Sequence, residues 1–399
     1  GLVKEVFKRG NIRYLKGTDA LGHTRYSTTG SSERRNVQPF SVTTGETEIA
    51  LAHNGNLVNT DRLVEELQPV ALHSTTDSEI ILHLLVQAKG ADLVDALKLT
   101  LPRLRGAYSL GLLTRDCLIG VRDPFGFRPL SVGQKDGSFF LASETCAFTP
   151  IGVTFVRDVN PGELVVISKN RLVSVDAFPG HTERALCIFE FVYFARPDSV
   201  INGHNVHIVR TRMGQELARE HPVNADIVVS VPEGGDSAAL GFSEETGIKL
   251  ERGYIRNHYI GRSFLRPSQA QRENDARFKL SLIPEVVRDK DVVIVDDSIV
   301  RGTTCRNRIR EMKKAGARKV HVRVSCPPHM HSCFYGIDFP DRNKLFAVNH
   351  PVDEMKQFLD ADSIGYLSQD GMVRATGLSI DSFCLACFNG KYPIPPTGQ

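Results

Sequence analysis

The sequence has no excess of either charge: 49 Lys and Arg stand against 46 Asp and Glu, a formal net charge of +3 over 399 residues. That balance excludes a polybasic nucleic-acid arm or membrane anchor, so no nucleic-acid partner is expected. Long apolar runs are missing as well. None approaches the roughly 20 residues of a membrane helix, and no membrane partner is expected either. The eight cysteines are too few and too irregularly spaced for a disulfide-stapled scaffold. With no secretory signal, they point to a reduced, cytoplasmic compartment. The chain also opens on Gly1-Leu2-Val3 without a methionine and has no cysteine before Cys117, a beginning that reads as truncated or processed. The remaining composition, 41% apolar and 24% charged, is that of globular domains, and the length suggests two or three of them.

Two halves differ in pattern. From Leu21 to about Val175, short β-rich runs such as Ile49–Ala52 and Phe139–Leu141 alternate with Gly, Asn, Asp and Pro. One amphipathic helix is predicted from Asp77, its N-cap region Thr75-Thr76-Asp77 and its apolar face Ile80, Ile81, Leu84 and Leu85. A second helical pattern covers Leu93 to Leu104. Residues 176–184, with Pro179 and Gly180, read as a linker. After Leu186, apolar runs such as Ile227-Val228-Val229 and Val292–Val295 alternate with helices, the pattern of buried parallel strands. A helix from about Thr304 to Ala315 should stop at Gly316, and Val320–Val324 should be the next strand.

The string from Val292 to Thr304 is an apolar strand, the acids Asp296 and Asp297, and a loop of Ser298, Arg301, Gly302, Thr303 and Thr304 that opens a helix. Carboxylates at a strand's carboxyl end suit ribose hydroxyls or a hydrated Mg²⁺, and amides at a helix N-terminus suit a phosphate. A lone Asp-Asp pair reads as a solvated strand end, but the thirteen-residue string is far more specific. It resembles the phosphoribosyl pyrophosphate (PRPP) motif of type I phosphoribosyltransferases. Arg256-Asn257-His258-Tyr259-Ile260-Gly261-Arg262 narrows the likeness to the glutamine PRPP amidotransferase family, where Arg256, Asn257, Tyr259, Gly261 and Arg262 would belong to a flexible flap that closes over pyrophosphate. Val231-Pro232-Glu233-Gly234-Gly235 occupies the place of the family's pyrophosphate loop, with Glu233, Gly234 and Gly235 as binding positions. It departs at Gly234, where the family commonly carries a hydroxyl that reaches the metal. That contact is expected to be lost or taken by water, leaving Asp296 and Asp297 as the surer Mg²⁺ residues.

Gly22–Gly30, Ala52–Leu57 and Ser74–Glu79 resemble three successive motifs of class II glutamine amidotransferases. The resemblance implies that Arg25 forks the glutamine α-carboxylate, that Asp77 pairs with its α-ammonium, and that Asn54 with the Gly55 amide forms the oxyanion hole. Each residue alone has a bland reading: a surface ion pair, a helix N-cap, a hairpin turn. The family's attacking thiol belongs to an N-terminal cysteine ahead of the Arg motif, and this sequence has none there. Cys117 and Cys146 match no motif and read as buried small apolar residues. The expectation is a chain that does not hydrolyse glutamine, most simply as a fragment.

Cys384-Leu385-Ala386-Cys387 suggests metal or redox chemistry. A thioredoxin-like reading fails on context, because the motif is read as lying in a tail and not as opening a helix after a strand. In the iron–sulfur branch of the family two more ligands precede the Glu-Phe-x-Tyr-Phe and Phe-Tyr-Gly-Ile-Asp stretches. Here Cys187 precedes Glu190–Phe194 and Cys333 precedes Phe334–Asp338. The resemblance therefore implies a structural 4Fe–4S cluster on Cys187, Cys333, Cys384 and Cys387, with Cys326 the rival ligand.

The implied fold is α/β: an N-terminal-nucleophile (Ntn) αββα glutaminase domain over 1–180, a type I phosphoribosyltransferase domain with a parallel sheet over 185–375, and a tail of cluster cysteines over 376–399. The implied reaction makes 5-phosphoribosylamine from PRPP and glutamine or ammonia, with Mg²⁺, purine nucleotides as feedback inhibitors and a homo-oligomer, a tetramer in the family. Two rivals are a catalytically dead PRPP-binding regulator, which should carry a helix-turn-helix, and a salvage phosphoribosyltransferase, which would not need Arg25, Asn54 and Asp77.

Overall fold

Two antiparallel sheets carry the first half. The computed structural model describes residues 3, 7–24, 33–44, 47–67, 69–257, 280–339 and 341–396. Six strands form the larger sheet, in the spatial order Phe40–Thr44, Thr47–Leu57, Gly106–Leu113, Leu118–Arg122, Glu163–Ser168 and Arg171–Asp176. The helices Thr60–Leu67, Asp77–Gln87 and Leu93–Thr100 cover one of its faces, where Ile80, Ile81, Leu84 and Leu85 pack with Leu51, Leu110 and Leu112. On the other side Val165 and Leu172 meet Val132, Phe139 and Leu141, which belong to a three-stranded sheet.

The helix predicted over Leu93–Leu104 is shorter, ending at Thr100 before a 3₁₀ turn, Leu101–Arg103. Pro102 accounts for the break, since it donates no amide and its ring crowds the carbonyl four residues back. At the start of Asp77–Gln87 the cap also differs from expectation. Thr76 is the N-cap residue but makes no side-chain cap bond. Glu79 reaches back instead and accepts the His73 and Ser74 amides at 2.9 and 2.6 Å.

The second half is built on five parallel strands in the spatial order Lys249–Glu251, Ile227–Ser230, Asp291–Asp296, Lys319–Val324, Ser363–Tyr366. Ile227–Val229 and Val292–Val295 are fully buried, as expected of strands covered on both faces. After Ile227–Ser230 the chain first adds a strand on one side and then Asp291–Asp296 on the other. The carboxyl ends of these two strands therefore flank the topological switch point, where open parallel sheets bind ligands.

The connector is docked against both halves. The amides of Ala185 and Cys187 donate to Phe125 and Phe127 at 2.9 and 3.0 Å. Leu186–Cys187 then pairs in parallel with Phe383–Cys384 of the C-terminal segment. Among the described residues, no helix is long and apolar enough to cross a membrane.

Candidate active sites and the cysteine cluster

At the switch point the loops after the two strands touch. Ser230 lies opposite Val295 in the ladder, and the Val231 amide donates to the Val295 carbonyl at 2.9 Å, so the register carries straight into both loops. Asp296 and Asp297 follow the strand directly. Asp297 accepts from Ser298 Oγ at 2.7 Å, and Asp296 lies 3.4 Å from the Arg308 guanidinium. Burial, and then the neighbouring Asp296 charge, pushes the Asp297 carboxyl up to about 7. Burial likewise raises Asp296 against the pull of Arg308. Two acids held this close in a buried crevice favour a bound cation or hydroxyl donors.

Gly234 stands against this pair. A β-carbon there would lie 1.7 Å from Asp297 Oδ2, and one at Gly235 would lie 2.5 Å from the Val295 carbonyl. A side chain at position 234 would therefore have to displace the Asp297 carboxylate, which occupies that space. Gly302 is held for a similar reason. It has φ +76° at the start of the helix Thr303–Lys314, and a β-carbon would meet the Phe346 ring at 2.7 Å. Arg301, Thr303 and Thr304 are exposed at that helix N-terminus, where amides and hydroxyls suit a phosphate.

Arg256 bonds Glu233 across the crevice at 2.6 Å, bringing the first residues of the expected flap onto the pyrophosphate loop. Tyr254–Arg256 pairs antiparallel with Leu280–Leu282. Asn257 is described next to Arg256. Tyr259, Gly261 and Arg262 lie outside the described residues.

In the first half, Asn54 and Gly55 sit in the strand Thr47–Leu57, paired with Ser109 and Tyr108. Gly55 has φ +154°, and a β-carbon would fall 2.0 Å from the Ala107 carbonyl, so only glycine fits. Behind it lies a buried pair that motif reading passed over. His53 Nδ1 is 3.4 Å from Asp77 Oδ1, and its Nε2 is 3.3 Å from the Ala107 carbonyl. Burial opposes charge on both partners. With an acceptor facing each ring nitrogen, however, His53 is raised overall and Asp77 is lowered. Asp77 also accepts the Leu57 amide at 2.9 Å, so the carboxylate assigned to the glutamine ammonium already secures the strand that presents Asn54 and Gly55. Arg25 lies outside the described residues.

The four implied cluster cysteines converge. Cys187 and Cys384 are direct partners in the short parallel ladder, and Cys333 Sγ accepts the Tyr335 amide at 3.3 Å. Burial raises all four thiols, Cys187 up to about 12, and each is raised further by its cysteine neighbours or raises theirs. Among the described residues no three His, Cys, Asp or Glu close on a single ion position. The Cys187–Cys384 ladder pair and the CxxC that adds Cys387 make a thiolate donor set of the kind an iron–sulfur cluster takes.

Two expectations are corrected here. The CxxC does stand between a strand, Phe383–Cys384, and a helical turn, Ala386–Asn389. What separates it from a redox motif is the company of Cys187 and Cys333. Cys117 and Cys146 are half-buried rather than buried, and lie beside Thr114 and Glu144. Cys326 is buried, donates to the Pro327 carbonyl at 3.4 Å and has Asp297 and Asp296 as its charged neighbours.

Comparison with known proteins agrees across the chain. A glutamine amidotransferase domain family matches residues 23–150. The chain is 48% identical to the amidophosphoribosyltransferase of Synechocystis sp., over 99% of this chain and 81% of that protein. It is 46% identical to that of Methanocaldococcus jannaschii, over 98% and 87%. A solved glutamine PRPP amidotransferase from B. subtilis, complexed with ADP and GMP, shares the fold with TM-score 0.93 and 43% identity, over 100% of this chain and 88% of that one.

Proposed function

The chain belongs to the amidophosphoribosyltransferase family, and from that premise we propose that it makes 5-phosphoribosylamine from PRPP in the first committed step of purine synthesis. The main support is the meeting of Gly234 with Asp297 at the switch point, which joins a pyrophosphate loop and a ribose-phosphate loop in one crevice. Ser298 to Thr304 hold the 5′-phosphate, Asp296 and Asp297 the ribose hydroxyls, and Glu233 to Gly235 the pyrophosphate. Arg256, Asn257, Tyr259, Gly261 and Arg262 close over it and exclude water. Mg²⁺, held at Asp296 and Asp297, would offset the charge that develops on the leaving pyrophosphate. Ammonia passing from the glutamine site attacks ribose C1.

In that glutamine site Arg25 and Asp77 hold the amino-acid end, while Asn54 and the Gly55 amide face the developing oxyanion. Asp77 has lone pairs beyond those used by Leu57 and His53, which leaves room for the ammonium. Cys187, Cys333, Cys384 and Cys387 would hold a 4Fe–4S cluster that ties the connector, the transferase half and the tail together. Purine nucleotides inhibit, by analogy with the ADP- and GMP-bound relative, and the protein works as a cytoplasmic homo-oligomer.

Cys117 directly precedes the strand Leu118–Arg122, and Cys146 lies in the 3₁₀ turn Thr145–Ala147. The expectation that the chain uses ammonia and not glutamine is open to a direct test. The test measures phosphoribosylamine formation from PRPP with NH₄Cl and, separately, with glutamine. Turnover with NH₄Cl alone supports the reading, and turnover with glutamine removes the missing-nucleophile part. No turnover with either donor, in folded and cluster-loaded protein, favours the catalytically dead PRPP-binding regulator.

A further inference from the structure

The two halves meet at the oxyanion residues themselves. Gly336, in the second half and at φ +95°, approaches the Gly55 backbone so closely that a β-carbon on it would lie 3.1 Å from the Gly55 carbonyl carbon and oxygen. The next residue along the strand, Asn56, donates its side-chain amide to the Phe334 carbonyl at 3.0 Å. With Ala107 pressed on its other side, the Gly55 peptide is oriented by two neighbouring backbones, one from each half of the chain.

Arg128 fixes the turn that does this. Buried in the first half, it donates through Nη2 to the Gly336 carbonyl at 2.7 Å and through Nη1 to Glu190 Oε1 at 2.6 Å. Its own carbonyl accepts Arg122 Nε at 2.8 Å and Ser109 Oγ at 3.2 Å, and Ser109 is the ladder partner of Asn54. Arg128 thus joins three places: its backbone carbonyl holds the strand beside Asn54 through Ser109, and its guanidinium fork ties Glu190, at the start of the second half, to the turn that seats Gly55.

We propose that the Phe334–Gly336 turn is a working wall of the glutamine site and that Arg128 is its positioning residue, so that glutamine binding depends on Arg128 while ammonia-dependent turnover of PRPP does not. The inference rests on the reading of Asn54 and Gly55 as the oxyanion hole. The planar fork is what the arrangement uses: a lysine keeps the charge opposite Glu190, so no buried carboxylate is stranded, but a single ammonium does not reproduce two diverging bonds.

The test uses the full chain with Arg128→Lys and, as a second variant, Gly336→Ala, whose added methyl bears on Gly55 directly. Three quantities are measured: glutamine affinity by calorimetry, hydrogen exchange of the peptide spanning residues 52–57, and phosphoribosylamine formation with NH₄Cl. Loss of one charge-assisted bond predicts roughly tenfold weaker glutamine binding in Arg128→Lys. Faster exchange at 52–57 and unchanged ammonia turnover should accompany it, and Gly336→Ala should behave alike. Unchanged glutamine affinity in both variants overturns the proposal, as does a parallel loss of ammonia turnover, which marks general loosening. If the unmutated chain binds no glutamine, the glutamine-site reading fails first and this inference falls with it.

Discussion

Gly234 and Asp297 share one space: a β-carbon on the glycine would lie 1.7 Å from Oδ2 of the aspartate. The two residues are 63 positions apart in sequence. They meet because their parent strands are neighbours at the switch point of the parallel sheet. The contact sets how close the acidic pair lies to the Val231–Gly235 loop, and it explains why that loop carries glycine where a hydroxyl was expected.

Replacing Gly234 by Ser should therefore harm the site instead of restoring a metal contact. The new side chain must displace Asp297 or distort the loop. Ammonia-dependent kcat/KM is expected to fall at least tenfold, about 1.4 kcal/mol of transition-state stabilisation. A rate equal to or above the unmutated one would show that the carboxylate yields without consequence.

Asp296→Asn removes one of two like charges and the partner of Arg308, 3.4 Å away. The ammonia reaction should drop by about tenfold or more, since on the proposed reading the group lost faces the reacting sugar or its cation. Initial rates over a PRPP and Mg²⁺ matrix will read this out. An unchanged rate would undermine the assignment of this crevice to PRPP.

The buried His53–Asp77 pair gives stability a defined pH dependence. His53 is raised above 6.5, so its contribution is complete below that value and is lost as pH climbs through the folded-state value. Asp77 is lowered below 3.8, so its contribution is present above 3.8 and is lost as pH falls through the folded-state value. Between those limits the pair stabilises the first half fully. Urea midpoints followed by circular dichroism should fall as pH rises above about 6.5 in the unmutated chain and change less in His53→Gln. Parallel curves for the two proteins would exclude the pair as the source.

Anaerobically purified protein should contain about four iron and four sulfide per chain. Cys384→Ser should lose them and melt earlier, whereas Cys326→Ser should retain them. Iron and acid-labile sulfide assays decide the matter, and a cluster that survives Cys384→Ser but not Cys326→Ser would reassign the ligands.

Much of the molecule was legible in the order of residues, because the signals were local. The apolar runs at Ile227–Val229 and Val292–Val295 are buried strands, and the 3.6-residue spacing of Ile80, Ile81, Leu84 and Leu85 is a helix face. Sequence and structure part where a local rule meets a constraint outside its window. The Leu93–Leu104 pattern continues past Pro102, which ends the α-helix, and the CxxC reads as a tail motif although its first cysteine pairs with Cys187.

The sequence by itself determined which chemistry is available: an acidic pair followed by a Gly-Thr-Thr loop, an Asn-Gly pair with an Arg and an Asp, and four thiols. These follow from side-chain identity over short windows. Only the tertiary structure decided what each group faces. His53 became the partner of Asp77, Arg128 the clasp between Glu190 and Gly336, and Gly234 the seat of Asp297. These relationships join residues 24 to 208 positions apart, and such pairings follow from strand order and close packing, which leave no periodic trace in the chain.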